Sequence, residues 1–527
     1  MRDQKLDRAK IAIIGAGQSA LSCAAYLARA GAKVDLYEKQ EQAGGLCINE
    51  TPFKRVGSDA IVSSVASYYG MLRQEVIDEL ELYKHGLQPY LSNPIEIVLL
   101  DNDQYVFTPR EAPDQDESVP RVKIDGLDDK QIEGWQAFWT DIQKAASIIY
   151  PLYFDSTTTQ KRVKEVLIDH NLPKIADAIF DKSLEQLLDQ YLSNPAYKAV
   201  AATCTPGFAN LVGSVFGCIH HGTASTLEIF GAWGQVRGGM GQVTQAMQRS
   251  AEAHGARVHP GKAVKKIQIQ NGRVEAVLFE DGQRLDAADF DYVLASQDIY
   301  NLFENLIGFD EMPGDIKDYL SANRPSVSAA KLHFLLSEMP VFKTLAAIKH
   351  NHKGVIVMAP SMESVRKDSQ AVPKGSMPLE LMLTMAFPHL DDETLSRDVV
   401  LTVDVHYLPA RLEGGRKWTD DDDKALQQAV LQRISQQCPE IGALVRDCYV
   451  VSPNALAGRF AVASTRCWHM PMTPAFLFEK RALPGCAPYQ TPYANLYTIG
   501  SGNYPAGNVT GCTGRNAASL IMEKLQK

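Results

Sequence analysis

Apolar and polar positions along the chain follow two periods, one of strands and one of helices. Ile11-Ala-Ile-Ile14 is a short continuous apolar run, the pattern of a strand buried on both faces of a parallel sheet. Leu21, Cys23, Ala24, Leu27 and Ala28 then recur at helical spacing, Gly31 ends that helix, and Lys33 to Glu38 reads as a second strand. Asp128 to Tyr150 predicts a helix whose stripe of Ile132, Trp135, Phe138, Trp139 and Ile142 reads as core packing. Ser183 to Leu192 predicts another, with Ser183 placed to cap it, and Gln242 to Ala251 a third. Ala256 to His259, Ala263 to Ile267 and Val274 to Phe279 read as strands, with Asn271-Gly272 as a hairpin turn between the last two. Asp291 to Ala295, Ser326 to Leu336, Leu379 to Ala386 and Val399 to Tyr407 are further strands. Thr419-Asp-Asp-Asp-Asp-Lys424 caps and starts a helix, and Asn495 to Gly500 is a strand followed by a glycine-rich loop and a helix to Lys524.

One stretch breaks the alternation. Residues 199–227 contain no Lys, Arg, Asp or Glu, a length sufficient to span a bilayer. Pro206-Gly207, Asn210 and several Ser and Thr interrupt it, so it reads as a buried element lining an apolar substrate cavity, with peripheral membrane contact as the second reading.

Composition narrows the class. The 527 residues are 45% hydrophobic and 22% charged, the balance of a globular protein, which excludes a disordered chain or a collagen-like repeat. Asp and Glu outnumber Lys and Arg by 62 to 53, and no basic cluster marks a nucleic-acid surface. The nine cysteines show no regular spacing, so no disulfide framework or zinc site is expected; the isolated His350-Asn-His352 reads as a solvated loop, and no metal is expected. Residues 1–10 mix acidic and basic side chains with no apolar core, which predicts a cytoplasmic setting.

The first strand leads into Gly15-Ala-Gly17-Gln-Ser-Ala20, so the chain reads strand, GxGxxA, helix, strand, acid. Each part has a physical task. Gly15 permits the tight turn, Gly17 lets the backbone approach a pyrophosphate, and Ala20 keeps the helix close to the sheet. Gln18 and Ser19 open the helix, whose free N–H groups favour an anion. Glu38 accepts hydrogen bonds from ribose hydroxyls and repels a 2′-phosphate.

Gly44-Gly45-Leu46 follows shortly after Glu38 and Lys39. With this doublet, Gly15 to Leu46 resembles the FAD-binding start of glutathione-reductase-type flavoproteins, a superfamily that includes amine oxidases and phytoene desaturases. The disulfide-reductase branch needs CxxxxC here; Cys47 is present but Pro52 holds the second position, so a dithiol relay is excluded. Gly238-Gly-Met-Gly241 and Gly500-Ser-Gly502 fail the strand–GxGxxG–helix pattern, so no NAD(P) domain is expected and electrons leave for oxygen or a quinone. Together with the segments Phe230 to Ala251 and Asn495 to Leu520, the chain is similar to the phytoene-desaturase-like flavoproteins, and within them to the branch named after a pyridine nucleotide-disulfide oxidoreductase domain.

That resemblance implies an α/β fold: a glutathione-reductase-type, Rossmann-like FAD domain (1–60, 230–300 and 485–527) interleaved with a mixed α+β substrate domain (61–229 and 301–484). It implies contacts to FAD from Gly15, Gly17, Gln18, Ser19, Ala20, Glu38, Lys39, Gly44, Gly45 and Leu46. Val264 would touch the adenine through its backbone, and Gly500, Ser501, Asn508, Val509 and Thr510 would serve the flavin end. Many relatives carry an acid where this chain has Ser501. The expected activity is dehydrogenation of a mostly apolar small molecule by hydride transfer to flavin N5, with carbon–carbon oxidation favoured; amine oxidation and a non-catalytic FAD scaffold are the alternatives. If a proton leaves with the hydride, His220, His221 and His469 are the candidate bases. The sequence sets no oligomeric state.

Overall fold

The computed structural model describes residues 9–92, 96–108, 122–205, 207–462, 469–505 and 507–526; residues 1–8 of the polar lead, and Pro206, lie outside these. Strand β1 (Lys10–Ile14) runs into helix α1 (Gln18–Arg29) and returns as β2 (Lys33–Tyr37). Three distant segments join them: β3 (Arg257–His259), β4 (Tyr292–Ala295) and β5 (Leu496–Thr498) complete a five-stranded sheet in the order β3-β2-β1-β4-β5. Every pairing is parallel, with Ile11 level with Val34 on one side and Tyr292 on the other. Ile11 to Ile14 are all buried, which is why the run shows no alternation.

Helix α1 is sandwiched between α2 (Gly241–Ala253) and α3 (Cys512–Gln526). Gly514 makes that approach possible, since a Cβ there would overlap Ser22 Oγ and the Ser19 carbonyl. A three-stranded antiparallel meander, Val264–Gln270, Arg273–Phe279 and Arg284–Asp286, covers the other face. Its hairpin turns at Asn271-Gly272, both at positive φ (51° and 71°), as the Asn-Gly pair demands.

The second sheet has eight strands, in the order Val445–Val451, Val327–Leu336, Val399–Pro409, Leu383–Ala386, Val355–Met358, Glu96–Leu99, Tyr105–Thr108 and Val122–Lys123. One face packs on the helix Asp420–Ser435 around Phe334, Met385, Val403 and Ile434. That helix starts at a capping box of Thr419 and Asp422, as its sequence predicts. The strand expected over Leu379 to Ala386 begins only at Leu383. Glu380 accepts hydrogen bonds from Ser361, and the Leu379 N–H goes to Asp368, so the first residues are held as a loop. The helix from Ser183 is likewise shorter, Leu184–Leu188, with Ser183 and Gln186 forming its capping box.

The remaining helices pack around the long helix Asp129–Ile149, where Trp135 stacks on Tyr197 with ring centroids 4.2 Å apart. Residues 199–227 fold here as the end of the helix Pro195–Ala202, a loop and the helix Ser214–Gly222. Cys204 and Cys218 form a disulfide across that loop, with Cα atoms 5.2 Å apart. This corrects the expectation of no disulfide: the intervening loop doubles back and brings two cysteines fourteen residues apart together. The His350–His352 loop is also corrected, since His350 is buried against Phe107 and its Nδ1 accepts the His352 N–H. Among the described residues no helix is long and apolar enough to cross a membrane, and no group of three His, Cys, Asp or Glu is placed to hold a metal.

Candidate functional site: a cavity between the two sheets

The parallel sheet carries its loops to one end, and there a cavity of about 430 Å3 separates it from the eight-stranded sheet. The Gly15–Ser19 turn forms its floor. Gly15 is at φ 86°, and a Cβ there would lie 2.7 Å from Ser296 Oγ. Gly17 caps α1 without any side-chain hydrogen bond, and the first helical turn has no acidic residue. A Cβ on Gly17 would meet nothing within 4 Å, because the position opens into the cavity. Gly45 lies across from it, where a Cβ would sit 3.2 Å from Gly17 Cα.

Glu38 is buried at the end of β2, with Oε2 accepting the Ala16 N–H and Oε1 the Gln40 N–H, both at 2.8 Å. Burial pushes its carboxyl above the ordinary range, and those backbone hydrogen bonds partly offset the effect. Gln18 ties the helix start to the C-terminal loop: its Nε2 donates to Ser501 Oγ (3.1 Å) and its Oε1 accepts the Gly511 N–H (2.9 Å). Ser501, at the position where many relatives carry an acid, thus belongs to the α1 hydrogen-bond network.

Of the residues singled out in the sequence, Gly15, Gly17, Gln18, Ser19, Glu38, Lys39, Gly44, Gly45, Leu46, Val264, Ser501, Asn508, Val509, His221 and His469 line this one cavity. Ala20, Gly500, Thr510 and His220 do not. Ala20 is fully buried inside α1's packing face, and a Cβ on Gly500 would press on the Ser296 and Gln297 carbonyls. Thr510 is buried, its hydroxyl accepting the Cys512 N–H. His220 faces the helical core, with Nδ1 2.7 Å from the Tyr153 hydroxyl, and burial holds its pKa well below the ordinary value. His221 turns the other way, its Nδ1 3.0 Å from the Cys204 carbonyl and its ring on the cavity. His469 is at φ 56°, and burial with the nearby Arg481 charge lowers its pKa to about 4. Within residues 199–227 His221 is the one described residue in the cavity wall, which corrects the expectation that this stretch lines it: its uncharged positions pack against other helices.

The opposite wall comes from residues the sequence reading passed over. Val65 to Met71, Trp233, Ala329 to Lys331, Asp404, His406, Leu456 and Arg459 to Val462 complete it, while Leu306 lies on the side of Val264. Most are apolar. Of the exceptions, His406 pairs with Thr384 and Arg459 with Glu50, while three others form a chain: Lys331 Nζ donates to Ser67 Oγ (3.0 Å) and to the Val65 and Ala66 carbonyls, and Ser67 Oγ donates to Asp404 Oδ1 (2.7 Å). Burial lowers the Lys331 pKa and raises that of Asp404, and their mutual attraction opposes both shifts. A lone Lys in the apolar run Val327–Leu336 and a lone Asp in Val399–Pro409 were the available signals.

The arrangement fits a dinucleotide. The open position before Gly17, the uncapped α1 terminus and Glu38 lie in sequence along one wall. Two further buried polar atoms of the wall, Gln297 Oε1 and Asn508 Nδ2, have no hydrogen-bond partner among the described residues. Comparison with known proteins agrees. The rat pyridine nucleotide-disulfide oxidoreductase domain-containing protein 2 is 26% identical over 98% of this chain and 93% of its own length. A 4,4'-diapophytoene desaturase of Staphylococcus haemolyticus is 24% identical over 73% of each chain. A putrescine oxidase solved with putrescine shares the fold, with a TM-score of 0.62, 13% identity and coverage of 98% of this chain and 99% of that one. The profile of the flavin containing amine oxidoreductases matches residues 21–522, so the chain belongs to that family and is an FAD-dependent oxidoreductase.

Proposed function

We propose that the protein dehydrogenates a mostly apolar small molecule beside its FAD, with carbon–carbon oxidation as the favoured step. The observation that carries this reading is one continuous cavity with two chemically different regions, a glycine-lined wall ending at Glu38 and a mostly apolar wall from residues 65–71, Trp233, residues 456–462 and the facing strands of the second sheet. In the first, Glu38 would hold the adenosine ribose, with Lys39 and the Val264 backbone beside it. Gly15, Gly17, Gln18 and Ser19 would hold the pyrophosphate, and Gly44, Gly45 and Leu46 would close over it. Ser501, Asn508 and Val509 would lie along the flavin, with Ala20, Gly500 and Thr510 fixing the backbone beneath.

When bound, FAD supplies a hydride acceptor. The chain's part is orientation and dryness. Helix α3 begins just after Val509, so its positive end would favour the negative charge that reduction brings. Tyr69, Met71, Trp233 and Phe460 would exclude water from the reacting carbon. His221 and His469, both on the wall, are the candidate proton acceptors, and His220 would serve packing. Oxygen or a quinone would take the electrons onward. Peripheral membrane contact is supported by the exposed Leu227, Ile229 and Phe230, which lie near the cavity-lining Trp233 in the chain.

The test is anaerobic bleaching of the bound flavin by a panel of polyenes, acyl compounds and amines. Bleaching by a polyene or acyl compound supports the reading. Rapid peroxide formation with amines alone would assign amine oxidation instead, and a flavin that no member reduces would mark a scaffold.

A further inference from the structure

The apolar wall ends in two buried polar atoms that find no partner among the described residues: the phenol oxygen of Tyr68 and Oδ2 of Asp404. Both residues line the cavity, and the Asp404 charge acts on the Tyr68 phenol. Folded proteins rarely leave such atoms unmatched, because desolvation without a hydrogen bond is unfavourable. Among the described residues, the Asp404 side chain is hydrogen-bonded through Oδ1 only. Ser67 Oγ donates to Oδ1 at 2.7 Å, and Ser67 is itself fixed by Lys331 Nζ at 3.0 Å. The carboxylate is therefore oriented, yet keeps Oδ2 for a further donor.

We propose that Tyr68 and Asp404 form a subsite for a hydroxyl group carried by the otherwise apolar substrate, the hydroxyl donating to Asp404 Oδ2 and accepting from the Tyr68 phenol. This deepens the proposed function and rests on its reading of the cavity as the substrate site. The chemistry of the wall selects a hydroxyl over the other donors. A hydroxyl donates one hydrogen bond and also accepts, which suits an unmatched carboxylate oxygen and an unmatched phenol on the same cavity wall. An ammonium would only donate, and it would bring a second cation close to Lys331, whose charge already balances Asp404 through Ser67. An ether or a bare hydrocarbon would leave Oδ2 unmatched.

The test uses the oxidised FAD-loaded protein and needs no turnover. Binding of 1-octanol, octylamine and heptyl methyl ether, an isomer of octanol without a donor, is followed by perturbation of the flavin spectrum and by calorimetry. The expected result is octanol binding at least tenfold tighter than either of the others. Asp404→Asn, which keeps the shape and loses the charge, should reduce the octanol-over-ether preference below threefold. Tyr68→Phe removes one oxygen and should weaken octanol severalfold while leaving the flavin content unchanged. Equal binding of octanol and ether, tighter binding of octylamine, or no binding of any probe would overturn the proposal. A protein that binds octanol selectively but is never reduced would instead overturn the proposed function alone.

Discussion

Gly17 and Glu38 illustrate how single residues would set the proposed cofactor site. At Gly17 the absent side chain leaves open space, because the position a Cβ would enter faces the cavity. Gly17→Ala should therefore fold, since its Cβ meets nothing within 4 Å, yet lose FAD severalfold in the flavin-to-protein absorbance ratio. His469 makes a pH prediction. Its pKa in the folded protein, about 4, lies below its ordinary value of 6.5, so the neutral ring stabilises the fold above about pH 6.5. That contribution is lost progressively as pH falls from about 6.5 to about 4, a change of roughly 3 kcal/mol. Thermal melts between pH 7 and 4 should show this loss, and His469→Gln should flatten the curve. Residues also show where sequence reading stops. His220 and His221 are adjacent, but side chains one position apart on a helix diverge by roughly 100°, so one faces the core and the other the cavity. Nothing in a single sequence says which.

Elements were legible where a local rule acts alone. The strand–GxGxxA–helix–strand–Glu38 unit, the Asn271-Gly272 hairpin and the Thr419 and Ser183 caps each follow from backbone chemistry within a few residues. The Cys204–Cys218 pair and the loop before Leu383 follow from contacts distant in the chain, and so were missed. Lys331 and Asp404 belong to the same class. A charge in an apolar strand reads as facing solvent until the neighbouring strand is known; here Lys331 lies level with Asp404 across the pair, and Ser67 joins them over the cavity wall. The contact of α1 with α3 is a further long-range constraint. Gly514→Val should push α3 off Ser19 and Ser22 and destabilise the fold by about 1–3 kcal/mol in denaturant unfolding. Because the same shift moves the loop that Gln18 ties to Gly511, the variant should also bind FAD more weakly.

For the whole molecule, the cofactor sheet is assembled from the start, the middle and the end of the chain, while the second sheet takes the intervening segments. Removing residues 495–527 deletes β5 and α3 together with Ser501, Asn508 and Val509, so the truncated protein should retain no flavin even where it stays in solution. Length alone could not reveal this interleaving. The motif spacing did suggest it, because three separated glycine-rich segments need one ligand. The most direct measurement is the visible absorption of the purified protein during anaerobic titration with a polyene substrate series. The account predicts an oxidised flavin band at roughly one FAD per chain that bleaches as substrate is added. A protein without that band, or with a band that no apolar compound diminishes, would contradict it.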